Sequence, residues 1–214
     1  MTKKIDKKIR QKKTLVLIFV EGDTEVDFYN KMKEHLRQKL GGKFSCEVKV
    51  YNLKGVGQYQ NTAQRIFDKK IKVNYPDDEY NYKIFLCYDT DVFEFARKPR
   101  VDLSKVTAML YKLGAEDVSR VEAKSSIEDW ILLDKEGLRR FLKIPKKQKL
   151  IDYKGQNGLK QLFLKAKKTY IKGIRSAGMV ESLDMNVIFP KICCQIHEIC
   201  EAVGMDCSEE KACK

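Results

Sequence analysis

The sequence predicts an α/β fold: a mostly parallel, Rossmann-like sheet flanked by helices and continued by a basic helical C-terminal extension. Three observations carry that expectation. Apolar runs at 14–20 (TLVLIFV) and within 83–91 (KIFLCYDTD) are continuous rather than alternating, as in parallel strands covered on both faces. Helical patterns lie between the strand candidates, at the spacing of right-handed βαβ units. From about residue 127 onward the pattern is helical only.

Each element has its own signal. The first strand, 14–20, runs into Glu21-Gly22-Asp23-Thr24-Glu25, and a helix follows in which Phe28, Met32, Leu36 and Leu40 recur at spacing four. Thr24 is the expected N-cap and Gly41-Gly42 the stop. A second strand, CEVKVYNL at 46–53, leads through Lys54-Gly55-Val56-Gly57 into an amphipathic helix carrying Ala63, Ile66, Phe67 and Ile71. The third strand spans 83–91. A helix over 104–113, with Val106, Met109, Leu110 and Leu113 inward, stops at Gly114, and a short fourth strand, VSRVEA, precedes Ser125-Ser126. The helical remainder begins with IEDWILLD and EGLRRFL. It continues over 158–172 and ends in a helix over 190–203, with Pro190 in its first turn and Gly204 after its end. These elements divide the chain into a flexible basic arm (1–13), an α/β domain (14–135) and a basic helical region (136–214).

Charge is distributed unevenly. Residues 1–13 hold seven Lys/Arg against Asp6 alone, and residues 139–175 hold thirteen against Asp152 alone, within a chain of net charge +13. The remainder is therefore slightly acidic. Basic segments flanking an acidic body fit a protein that meets phosphates at its edges and holds cations at its centre. Arg139, Arg140, Lys146, Lys147, Lys165, Lys167 and Lys168 are the expected backbone contacts to DNA or RNA. No apolar run approaches the roughly 20 residues of a membrane span, and no signal-peptide pattern follows the basic N-terminus, so a cytoplasmic protein with no membrane partner is expected. The seven cysteines fit reduced thiols. Four of them, Cys193, Cys194, Cys200 and Cys207, crowd the C-terminal end beside His197 without the paired spacing of a zinc site.

Function in an open parallel sheet gathers at the carboxyl ends of its strands. There the first strand delivers Glu21 and, one helical turn on, Glu25, while the third delivers Asp89 and Asp91. Strand alternation places residues 89 and 91 on one side, where both carboxylates can face one cation. Oxygen donors without Cys or His select Mg2+ or Mn2+. Lys54 and Lys124, near strand ends, are placed to balance phosphate charge beside it, and Lys54-Gly55-Val56-Gly57 is a candidate phosphate-facing loop.

An apolar strand, then EGDTE, then a helix, then a later apolar strand ending YDTDVF resembles the Toprim domain of topoisomerases, primases and OLD-family nucleases. It is closer still to the small stand-alone RloB-like Toprim proteins of bacterial defence loci, over residues 14–135. The resemblance implies that Glu21 acts as general acid/base or metal ligand, that Asp89 and Asp91 are metal ligands, and that Glu25 helps to hold a second ion. It also implies that Glu128, in SSIEDWILLD, fills the place of a later acid. The segment Lys124-Ser125-Ser126-Ile127 departs from the Asn-Pro-Phe-like opening of that family. Trp130 is expected to anchor its helix in the core. The function expected is a nuclease cutting a phosphodiester in DNA or RNA with one or two Mg2+ or Mn2+ ions, in anti-phage defence. A non-catalytic nucleic-acid-binding or sensor subunit working with a partner ATPase or other defence protein is the alternative, and primase-like nucleotidyl transfer a further one. Oligomeric state has no signal in the sequence.

Overall fold

The computed structural model of the chain describes residues 11–91, 101–124, 126–150, 152–171 and 178–207. Most of the basic arm, Ser125, and Lys172 and Arg175 of the basic segment lie outside the described residues. Four strands form one all-parallel sheet: β1 (Lys13–Val20), β2 (Glu47–Asn52), β3 (Tyr80–Asp89) and β4 (Asp117–Ala123), in the order β2-β1-β3-β4. Helix α1 (Asp23–Leu40) joins β1 to β2. Helix α2 (Tyr59–Ile66), prolonged by a π turn at Phe67–Ile71, carries the chain back across β1 to β3. Helix α3 (Leu103–Lys112) precedes β4. Because crossovers are right-handed, a step in one direction and two in the other place α1 on one face of the sheet and α2 and α3 on the opposite face.

The core follows this division. Leu15 through Val20 have no solvent exposure at all, as the apolar run required of a central parallel strand. Val16, Ile18 and Val20 pack with Phe28, Tyr29, Met32 and Leu36 of α1, whereas Leu15, Leu17 and Phe19 pack with Tyr59, Ala63, Phe67, Val106 and Leu110 of α2 and α3. The α1 side is completed by the C-terminal helices α4 (Ile127–Ile131), α5 (Lys135–Leu142), α6 (Gly155–Lys165), α7 (Met185–Ile192) and α8 (His197–Ala202). Leu138, Leu159, Leu162, Ile188, Phe189 and Ile199 share one apolar cluster with Val16 and Ile18, so these helices are the sheet's second covering layer. Among the described residues, no helix is long and apolar enough to cross a membrane.

Several expected boundaries move. Helix α1 begins at Asp23 with Gly22, in extended conformation, at the N-cap; Thr24 is buried inside the first turn and makes no capping bond. The pattern at 158–172 is not one helix. Helix α6 ends at Lys165, and Lys167, at φ 55°, turns the chain in the left-handed region so that Tyr170 is reached outside the helix. The C-terminal helix is broken in two. Pro190 lies inside α7, and three residues later the chain tightens into a 3-10 turn at Cys193–Gln195 before α8 starts. Proline removes an intrahelical donor, so the helix does not run on far beyond it.

Candidate functional site

The sheet order reverses around β1, and at the carboxyl edge of β1 and β3 two loops are knitted together. The Gly55 amide donates to the Glu21 carbonyl at 2.8 Å and the Leu53 amide to the Val20 carbonyl at 2.8 Å, tying the segment after β2 to the end of β1. The Asn52 side-chain amide donates to Asp23 (2.6 Å) while its oxygen accepts the Lys54 amide (2.7 Å). Gly55, at φ 96°, lets the chain turn there, and Lys54 itself has φ 65°. The Lys54 ammonium lies 3.9 Å from Asp23 on the exposed side of this turn.

Glu21, Glu25 and Asp89 line one narrow recess, together with Tyr29, Cys87, Tyr88, Ala123 and Ile127. About 10 Å³ of it is open, room for about one water. Glu21 is half-buried and one of its oxygens accepts the Asp89 amide at 3.1 Å. Asp89, 2% exposed, accepts the Ile127 amide at 2.8 Å, which fixes the start of α4 against the end of β3. Glu25 sits one turn into α1 and is 7% exposed.

Asp91 is placed differently from the expectation. Strand β3 ends at Asp89, and Asp91 begins a helical turn, half-buried and outside the lining of the recess. Strand alternation no longer governs its direction, so residues 89 and 91 are not brought to one side by it. Glu128 is fully buried in α4. One oxygen accepts from the Tyr170 hydroxyl at 2.9 Å, and the other has no partner among the described residues. Trp130 anchors α4 as expected, packing on Phe28 and Tyr29 at ring separations of 5.8 and 6.3 Å.

Tyrosines surround the acids, a feature that the sequence reading missed. Tyr59 donates to the Cys87 carbonyl. Burial first, then the negative charge of Glu21 and other neighbours, holds its phenol well above the usual range. Tyr29 is raised by burial and by Cys87. Tyr170 is raised by burial, by Glu128 and by Glu25, and Tyr88 by burial and its bond to Glu122. Burial pushes the Cys87 thiol up to about 12. Tyr29 and Tyr88 line the recess with protonated phenols, while the hydroxyls of Tyr59, Tyr88 and Tyr170 are spent on the Cys87 carbonyl, Glu122 and Glu128. Tyr29, one turn beyond Glu25, was within reach of a spacing argument; Tyr170 carried only the apolar period of its expected helix and no sign of a link to Glu128.

The donor set matches a hard divalent cation in kind. Among the described residues, no group of three or more His, Cys, Asp or Glu is placed to hold a metal ion by itself. Mg2+ does not need one, since it is commonly held by one or two carboxylates, waters and the substrate's phosphates. Asp89 and Glu25 are the residues that would hold it.

The basic residues fall into two groups. The Arg139 head group is engaged by the carbonyls of Pro145 (2.7 Å) and Gln148 (3.0 Å), so it fastens a turn. Arg140, Lys146, Lys147, Lys165, Lys167 and Lys168 are exposed, Lys165 and Lys168 lying over the rings of Tyr153 and Phe141. Lys124 is exposed at the end of β4, its amide held by Gln195. Cys193, Cys200 and Cys207 are packed in the apolar core, while Cys194 is exposed. Compared with known proteins, the chain matches no family model, no curated protein and no solved structure.

Proposed function

We propose that the chain is a Mg2+- or Mn2+-dependent phosphodiester nuclease of Toprim type, acting on DNA or RNA. The observation that supports this most is the convergence of Glu21, Glu25 and Asp89, from two separate strand ends, on one recess at the sheet's carboxyl edge. A bound ion there supplies Lewis-acid polarisation of a phosphoryl oxygen and neutralises the gathered charge. Glu21, the least buried of the three, is the group placed to accept a proton from water or return one to the leaving oxygen. Asp89, braced by the Ile127 amide, and Glu25 hold their carboxylates at the recess. The neutral tyrosine wall keeps the site poorly hydrated, which strengthens every charge interaction in it. The exposed lysines beyond α6 grip backbone phosphates without reading sequence.

One observation favours the second reading, a module that binds nucleic acid and acts only with a partner: the recess is narrow, and Glu21 is already engaged by the Asp89 amide. Labelled tRNA, single-stranded DNA and duplex DNA, each incubated with Mg2+, Mn2+ or EDTA, separate the two. The nuclease reading expects metal-dependent cleavage that Glu21→Gln reduces by about 10²–10⁴-fold, with fold and nucleic-acid binding retained. Equal activity of wild type and Glu21→Gln in every cleavage assay hands the chain to the second reading.

A further inference from the structure

A second cavity, of about 460 Å³, lies beside the recess at the sheet's β4 edge, lined by Thr90, Arg120, Glu122, Lys124, His197 and Glu198 among others. Consecutive residues divide between the two. Asp89 and Ala123 line the recess, whereas Thr90 and Lys124, the residue after each strand, line the groove. The Thr90 amide donates to the Ala123 carbonyl at 3.2 Å, so the two ends are clamped side by side. Tyr88 in the recess donates to Glu122 in the groove. The groove and the recess therefore share the ends of β3 and β4.

The groove's chemistry is that of a nucleotide. Arg120 is exposed and uses one donor on the Ser104 hydroxyl at 3.0 Å, leaving most of its five N–H groups available. Lys124 adds a second exposed cation. The His197 Nδ1 is 3.2 Å from the Cys194 carbonyl, which can only accept, so Nδ1 carries the hydrogen and Nε2 is left for another partner. Glu122 is occupied by Tyr88, but Glu198 keeps one buried oxygen with no partner among the described residues. Two exposed cations and an imidazole suit a ligand that presents a phosphate. The volume of about 460 Å³ suits about one nucleotide, since ligand cavities run to roughly 300–1,000 Å³.

We infer that this groove seats one nucleotide of a single-stranded nucleic acid whose neighbouring phosphodiester lies at the acidic recess, an inference that rests on the nuclease reading. The chain has two histidines, His35 and His197. His35 is buried against Phe189, so imidazole NMR signals report on the groove with an internal control. Wild-type protein in EDTA is titrated with inorganic phosphate, adenosine monophosphate, a single strand of about 12 nucleotides in DNA and RNA forms, and the matching duplex. Affinities are measured in parallel for wild type and Arg120→Ala/His197→Ala.

The expected result is that the single strand moves the His197 signals, while His35 stays still. The double variant then binds the single strand roughly tenfold more weakly, a loss of about 1.4 kcal/mol. Inorganic phosphate moving His197 as much as the single strand does would reduce the groove to an anion site and overturn the inference. Tight binding with His197 unmoved and the variant unaffected overturns it while sparing the nuclease reading. No binding by any nucleic acid removes both.

Discussion

Asp89 performs two tasks at once, and they can be separated chemically. Its Oδ1 accepts the buried Ile127 amide, and its carboxylate belongs to the acidic recess. Asp89→Asn keeps an acceptor for that amide and removes a charge, so stability in urea should stay close to wild type while metal-dependent cleavage is lost. Asp89→Ala strands the amide and should cost about 1–3 kcal/mol in the same titration. A Cys87 thiol raised to about 12 gives a pH signature. Above about pH 8.5 the unfolded thiol loses its proton while the folded one keeps it. The unfolded chain then binds fewer protons, and stability falls as pH rises toward 12. Tyr29 and Tyr59, raised by burial in the same wall, act in the same direction at higher pH. Thermal midpoints measured from pH 8 to 11 should fall, less steeply in Cys87→Ala, and a flat wild-type profile would show that the thiol is not shielded. The acids Glu21, Glu25 and Asp89 were legible in the sequence because each follows an apolar strand or lies one helical turn beyond it. The bonds that commit Asp89 to Ile127 and Glu128 to Tyr170 join residues 38 and 42 positions apart, and no local pattern encodes them.

Strand and helix identities were legible because a continuous apolar run and a 3.6-residue period are local properties. The errors fell at ends. Asp91 was read as strand because the apolar run stops at Tyr88 and two acids follow, but the backbone leaves the sheet at Asp89. Tyr170 kept the helical period of Leu159, Leu162 and Phe163, yet the helix stops at Lys165 and the ring returns to pack on Phe163 at 5.3 Å. The C-terminal elements are seated tightly. A Cβ on Gly137 of α5 would lie 2.1 Å from Asp134 Oδ2 and 2.8 Å from the Ser182 carbonyl, while Asp134 already caps α5 through the Gly137 amide and holds the Asp184 amide. Gly137→Ala should therefore destabilise the protein by about 1–3 kcal/mol through overpacking, read as a lower urea midpoint. An unchanged midpoint would mean that α5 is loosely docked.

For the molecule as a whole, the basic segment is tied to α4, whose first residue Ile127 lines the acidic recess, through Tyr170, which follows the exposed Lys165, Lys167 and Lys168 and ends on Glu128. On the proposed reading, Lys165→Glu/Lys167→Glu/Lys168→Glu should weaken nucleic-acid binding alike for all sequences. It should also flatten the salt dependence, which for duplex DNA has a slope near −0.9 per neutralised phosphate. Fluorescence anisotropy across a salt series checks this, and unchanged affinity would make the segment a solvated surface. The apolar run of β1 was enough to call a buried parallel strand, because a strand with no polar face has to be covered on both sides. The charge imbalance was likewise complete in the composition. Strand order was not: the crossing from β2 over β1 to β3 makes the switch point that gathers Glu21, Glu25 and Asp89. Nor was the role of the C-terminal helices, which read as an extension yet close the α1 face of the core. Local sequence fixes period and polarity, whereas the meeting of distant segments depends on which apolar faces cover one another, and only the folded chain decides that.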